Sequence, residues 1–207
     1  WHNDSHMNNH TYISSDADFE RYVEAAGQKP EPIVAADIES ELNLHVYGER
    51  FCLLQVYDGQ NAAVVDPHEV SIDKIRAFLE DPGIRKIFYD AASDRTLLYK
   101  THRILLSGVI DLKPAVELLD MRKQGLDSVL SEILSIDPPA SKKKYQSYNW
   151  TRRPIKQEAV DYALRDVIYL FKLRDELFER LKSAGTFEEY EAENERRQQG
   201  TPDINRK

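Results

Sequence analysis

The stretch Ile33-Val34-Ala35-Ala36-Asp37-Ile38-Glu39 opens as an apolar run with β-branched members and lies behind two prolines, Pro30 and Pro32. Those features predict a short buried strand. On a strand, residues i and i+2 point to one face, so Asp37 and Glu39 share a side of whatever sheet the strand enters. Two anions set side by side in a buried strand lose hydration and repel each other, and a cation between them relieves both costs. A divalent metal held by oxygen ligands is the simplest such cation. An Asp-x-Glu pair alone is more often a solvated strand end, so its meaning depends on the rest of the chain.

Upstream, residues 10–14 suit a short edge strand. Ser15 or Asp16 can cap a helix running through Phe19, Tyr22 and Val23 to a stop at Gly27. Downstream, turn signals at Tyr47-Gly48 and Asp58-Gly59 separate the runs 50–56 and 62–65, which predicts an antiparallel meander with the first strand. The period then changes. Ser71 caps a helix ended by Pro82-Gly83, residues 86–89 form a strand, and a helical stretch covers 93–100. Val109-Ile110 is a fifth strand ending in Asp111, followed by helices over 114–121 and 126–134. Residues 136–155 are polar and irregular, then a long helical pattern covers 157–181 and a charged one 187–197. Strands first, then alternating helices and strands, predict an α/β fold with a mixed five-stranded sheet flanked by helices. The expected organisation is one domain over 10–183 and a helix with a frayed tail over 184–207. Residues 1–9 look like an expression-vector remnant around a native start at Met7.

The sequence has 207 residues, enough to bury a real core, and its 41% apolar and 31% charged content is that of an ordinary globular chain. Lys+Arg 28 against Asp+Glu 36 leaves a net charge of -8, which argues against a general cationic coat for polyanions. Any polyanion must be met locally or through metals. Cys52 is the single cysteine, so no intramolecular disulfide can form, and a reducing, cytoplasmic setting is expected. No run approaches the ~18 apolar residues of a membrane span.

Two further sites carry acidic groups. Asp94 follows the strand in Phe88-Tyr89-Asp90-Ala91-Ala92-Ser93-Asp94-Arg95, where a carboxylate beside a helix N-terminus is common. Tyr162 and Asp166 stand at i and i+4 and share a helix face with Ala159, Ala163 and Leu170. That face otherwise looks inward, and a carboxylate on an inward face wants a cation. Four carboxylates on a strand, a strand-to-helix junction and a late helix are how a site at the end of a sheet is assembled.

In this order the motifs resemble the DEDD superfamily of 3′–5′ exonucleases, in the branch with tyrosine in the third motif, and among its members the ribonuclease D group. The resemblance runs over about residues 33–181. It rests on Asp37-Ile38-Glu39, Asp94, Tyr162-x-x-x-Asp166 and the segment Lys144-Tyr145-Gln146-Ser147-Tyr148-Asn149-Trp150-Thr151-Arg152-Arg153-Pro154-Ile155. The chain departs from the family at Tyr89, often His, at Arg95, often apolar, and at Asn149, often Asp; no ligand position is lost.

The resemblance implies a ribonuclease H-like (DnaQ-like exonuclease) fold and phosphodiester hydrolysis with two divalent ions, Mg²⁺ or Mn²⁺. Asp37, Glu39, Asp94 and Asp166 would be the ligands, with Tyr162 orienting or deprotonating the attacking water. The implied substrate is the 3′ end of single-stranded RNA, with DNA trimming and a non-catalytic nucleic-acid-binding module as the other readings. Lys142, Lys143, Lys144, Tyr145, Gln146, Trp150, Arg152 and Arg153 combine cations with aromatic faces suited to single strands, and they equally suit a solvated loop whose Trp150 plugs the core. Leu42 and His45 stand where they could wedge against a terminal base, although a plain hairpin loop is the more usual role for such residues.

Overall fold

A computed structural model describes residues 10–42, 45–140 and 142–203, with the side chains of Lys142 and Gln146 left aside. The expected vector remnant and the last four residues of the expected frayed tail lie outside the described residues. The strands are β1 (His10–Ile13), β2 (Ile33–Leu42), β3 (Glu49–Tyr57), β4 (Ala62–Val65), β5 (Arg85–Phe88) and β6 (Val109–Asp111). The helices are α1 (Asp16–Gly27), α2 (Ile72–Glu80), α3 (Ala92–His102), α4 (Lys113–Leu118), α5 (Leu126–Leu134), α6 (Lys142–Gln146), α7 (Gln157–Ile168), α8 (Leu170–Ala184) and α9 (Phe187–Gln198).

All six strands form one mixed sheet in the order β1-β4-β3-β2-β5-β6. The expected meander is present: β2 pairs antiparallel with β3, and β3 with β4. Parallel pairs extend it on both sides, β5 and β6 beyond β2 and β1 beyond β4. The sheet therefore has one strand more than the five expected, because His10–Ile13 pairs along the whole of β4.

The strand alternation sends Ile33 and Ala35 into a core shared with α4, α5, α7 and α8, while Val34, Ala36 and Ile38 face a second core with Phe19, Ile75, Phe78 and Leu98. Asp37 and Glu39 belong to the first of these faces, beneath α7. That helix packs across β2, β3 and β4 and brings Tyr162 and Asp166 over the sheet. The pattern read as one helix over 157–181 is two, with a break at Tyr169, where no Gly or Pro announces it.

The last helix is more integral than its charge pattern implies. Tyr190 and Asn194 are buried. The Asn194 amide accepts from the Asp111 backbone N–H at 3.0 Å and donates to the Val109 carbonyl at 3.0 Å. The Gln198 side chain accepts from Val109 N–H at 2.9 Å. Helix α9 thus closes the open edge of β6 with side-chain amides, which a sequence period cannot reveal. Gln198, expected in the frayed tail, is the end of that helix. Among the described residues no helix is long and apolar enough to cross a membrane.

Candidate active site

Alternation along β2 and the i, i+4 spacing on α7 bring Asp37, Glu39 and Asp166 together. One carboxylate oxygen from each lies within 4.8 Å of the others, and the cluster contains neither Cys nor His. Asp94 enters from the start of α3 and shares with Asp37 a cavity of about 330 Å³, lined also by Ser40, Leu42, Tyr89 and Ser93. The structure thus brings together all four carboxylates expected from the sequence.

The electrostatics are repulsive. Burial, then the charges of Asp94, Asp166 and Glu39, raise the Asp37 carboxyl well above the usual range. Burial, then Asp166 and Asp94, do the same to Glu39. Asp94 is pushed up to about 8 by burial, Asp111 and Asp90. Groups that raise one another's pKa values in a cleft mark a place where a cation is wanted. An all-carboxylate set suits a hard divalent ion such as Mg²⁺ or Mn²⁺. The residues present therefore fit the metals that the resemblance implies.

Tyr162 is half-buried. Its ring lies 5.0 Å from that of Tyr145 with 31° between the planes. Burial, then Asp166 and Glu39, raise its hydroxyl above the ordinary tyrosine value.

Asp111 was seen in the sequence only as the end of a strand, yet it sets the position of Asp94. Its carboxylate accepts backbone N–H groups from Asp90 at 2.8 Å, Lys113 at 3.0 Å and Ala91 at 3.1 Å. These bonds hold the turn at Asp90, whose φ of 63° is left-handed, and so fix where α3 begins. Arg95, a departure from the family pattern, donates to the Gln198 carbonyl at 2.8 Å. Its guanidinium caps the carbonyl end of α9, a favourable place for a cation.

The expected substrate contacts divide. Leu42 is 60% exposed and lines the cavity with Asp37 and Asp94. His45 turns away: its Nδ1 lies 2.8 Å from the buried Glu41, whose other oxygen accepts the His45 backbone N–H at 2.9 Å. Lys143, Lys144 and Arg152 are exposed. Tyr145 and Trp150 are each only 3% exposed, so neither offers a face to bases and Trp150 takes the core role also expected for it. They pack with Tyr148, 5.8 Å from Tyr145 and 4.7 Å from Trp150, as an aromatic group against α7.

Arg153, expected on a nucleic-acid surface, is held inside. It donates to Asp66 at 2.8 Å and to the Cys52 and Trp150 carbonyls at 2.7 Å each. Buried, bonded acceptors outbid solvent for a guanidinium. The side chains of Lys142 and Gln146 lie outside the described residues.

A family model described as 3′–5′ exonuclease matches residues 10–182. The human exosome complex component 10 is 32% identical over 135 residues, 62% of this chain and 15% of that protein. Ribonuclease D of Shewanella sp. (strain ANA-3) is 27% identical over 205 residues, 93% of this chain and 50% of that one. The chain therefore spans half or less of these relatives. The catalytic core of RRP6 from Trypanosoma brucei superposes with a TM-score of 0.82 at 23% identity, over 93% of this chain and 52% of that one. The fold is thus of the ribonuclease H-like exonuclease type.

Proposed function

The chain belongs to the 3′–5′ exonuclease family, and from that footing we propose that it hydrolyses single-stranded RNA from the 3′ end, releasing nucleoside 5′-monophosphates. The observation that carries this is the convergence of Asp37, Glu39 and Asp166 within 4.8 Å, with Asp94 across the same cavity. The family is divalent-metal dependent. When bound, two such ions activate water and neutralise charge on the leaving 3′ oxygen. Asp37, Glu39, Asp166 and Asp94 would hold the ions.

The chain's own residues then act on the substrate. Tyr162, kept protonated by burial and by Asp166 and Glu39, orients the attacking water through its hydroxyl. The water oxygen bonds to phosphorus as the bond from phosphorus to the 3′ oxygen breaks, and the shortened strand keeps that 3′ hydroxyl. Leu42 offers an apolar edge to the terminal base. Exposed Lys143, Lys144 and Arg152 are placed to meet phosphates of the incoming strand, and Lys142 belongs to the same run. Cys52 is buried and unpaired, in keeping with a reducing, cytoplasmic compartment.

The test is digestion of 5′-labelled and 3′-labelled RNA and DNA oligomers with Mg²⁺ or Mn²⁺, with the products sized. A 5′-labelled RNA ladder shortening one nucleotide at a time, with labelled mononucleotide from the 3′-labelled strand, is expected. Internal fragments, or shortening from the 5′ end, would overturn the proposal. Faster digestion of DNA would move the substrate to DNA and leave the chemistry in place.

A further inference from the structure

Gln55 sits directly opposite Asp37 in the pairing of β2 with β3. Residues directly opposite in an antiparallel pair project from the same face, with Cβ atoms about 5 Å apart. Gln55 therefore stands beside Asp37 on the face that α7 covers. It is wholly buried at 0% exposure, yet both its amide nitrogen and its carbonyl oxygen lack a hydrogen-bond partner. A buried, unpartnered amide costs stability, and most buried polar side-chain atoms in folded proteins have a partner. A leucine would fill the same space in a core built from Leu53, Val64 and the apolar side of α7 without that cost.

The neighbouring group gives the amide a use. Asp37 is one of three acidic side chains whose carboxylate oxygens lie within 4.8 Å of one another, so its oxygens face the other acids on one side and Gln55 beside it on the sheet. To hold a divalent ion, the Asp37 carboxylate would have to be kept in one orientation. Metal-binding carboxylates are commonly held by a second hydrogen bond from a group that does not touch the metal. We propose that Gln55 is a positioning residue for the metal-loaded site: its side-chain N–H₂ donates to the Asp37 carboxylate, directly or through one buried water. This rests on the reading of the acidic cluster as a divalent-metal site and adds to it a donor from β3, a strand that carries no ligand.

The proposal separates two properties that a merely structural glutamine would link. Gln55→Met keeps the length of the side chain and removes the amide. The metal-free variant should melt at the wild-type temperature or above, since an unpartnered polar group has been replaced by an apolar one. Its affinity for Mn²⁺, titrated calorimetrically without substrate, should fall about 10–100-fold.

Wild-type affinity in a variant that melts normally overturns the role of Gln55. A lower melting point with unchanged affinity does the same and makes the residue structural. Wild-type protein that takes up no Mn²⁺ overturns the metal reading itself, and the inference with it. Should Gln55→Met fail to fold, Gln55→Asn, which keeps an amide but withdraws it by one methylene, carries the titration, and unaltered Mn²⁺ affinity there again overturns the role.

Discussion

At Asp66, just past the end of β4, a carboxylate at 1% residue exposure meets an arginine; at Asp37, Glu39 and Asp94 the neighbours are other carboxylates. Burial raises Asp66, but hydrogen bonds from the Arg153 guanidinium, the Tyr12 hydroxyl and the His68 backbone N–H outweigh it and hold the group below the usual carboxylate range. One chain thus treats acid in two ways, enclosed by the fold at Asp66 and half-buried in a cleft at Asp37, Glu39 and Asp94. Where the acid only has to hold β1, β4 and the loop before α7 together, a cation of the protein's own completes it. Where three acidic side chains from β2 and α7 converge and α3 adds a fourth across the cavity, the imbalance marks a place reserved for something from solution.

The contrast is broken most severely by Asp37→Ala or Asp94→Ala. Either should reduce hydrolysis to background while the metal-free protein melts at or above the wild-type temperature, because a repelling charge has gone. Lower stability with activity retained would place these residues in the fold rather than the chemistry. Tyr162→Phe keeps the ring against Tyr145 and removes one oxygen. The single-turnover rate should fall, by less than the ~10²–10⁴-fold of a proton-transferring group because the hydroxyl only orients the water, with Mn²⁺ affinity unchanged. A wild-type rate would leave Tyr162 as packing alone.

Arg153→Ala sharpens the other side of the comparison. It strands Asp66 without its cation and should lower stability by about 3 kcal/mol, read from denaturant melts. A loss within error would mean that the pair is not what secures this corner.

The two regions also differ in sign with pH. Asp94, at about 8 in the folded protein, lies above its unfolded value near ~3.9, so the folded chain binds more protons between them and stability falls as pH rises through that window. Asp66 lies below its unfolded value. Its contribution is complete above about pH 4 and is lost only as pH falls toward its folded value. The metal-free protein should therefore melt higher near pH 5 than near pH 8, and Asp94→Asn should flatten that decline. A melting temperature that rises steadily over the same range would contradict the assigned sign.

What the sequence disclosed follows from the range of its signals. Asp37 with Glu39 obeys a strand period of two, Tyr162 with Asp166 a helical i, i+4 step, and Asp94 sits at a strand-to-helix junction, all local relations visible in a few letters. The partners of Arg153 and Asp111 are not local. Asp66 is 87 residues from Arg153, and Asn194 is 83 from Asp111. A cation-rich loop with Tyr145 and Trp150 therefore read equally as a binding surface or as a loop plugged into the core, until the fold supplied buried neighbours for its rings and for one arginine. Gln55 shows the same limit, since its position opposite Asp37 exists only once β2 and β3 are paired.

Whether the acidic cluster holds a divalent metal is read by thermal melting at pH 8 across a Mn²⁺ titration, in wild type and Asp37→Ala. At a hundred times the dissociation constant, binding to the folded state alone adds about 2.7 kcal/mol, or about 5–10 °C for a chain of this size. That rise is expected in wild type, and little or none in the variant. A wild-type melting temperature that does not move, or an equal rise in both proteins, would contradict a metal site there.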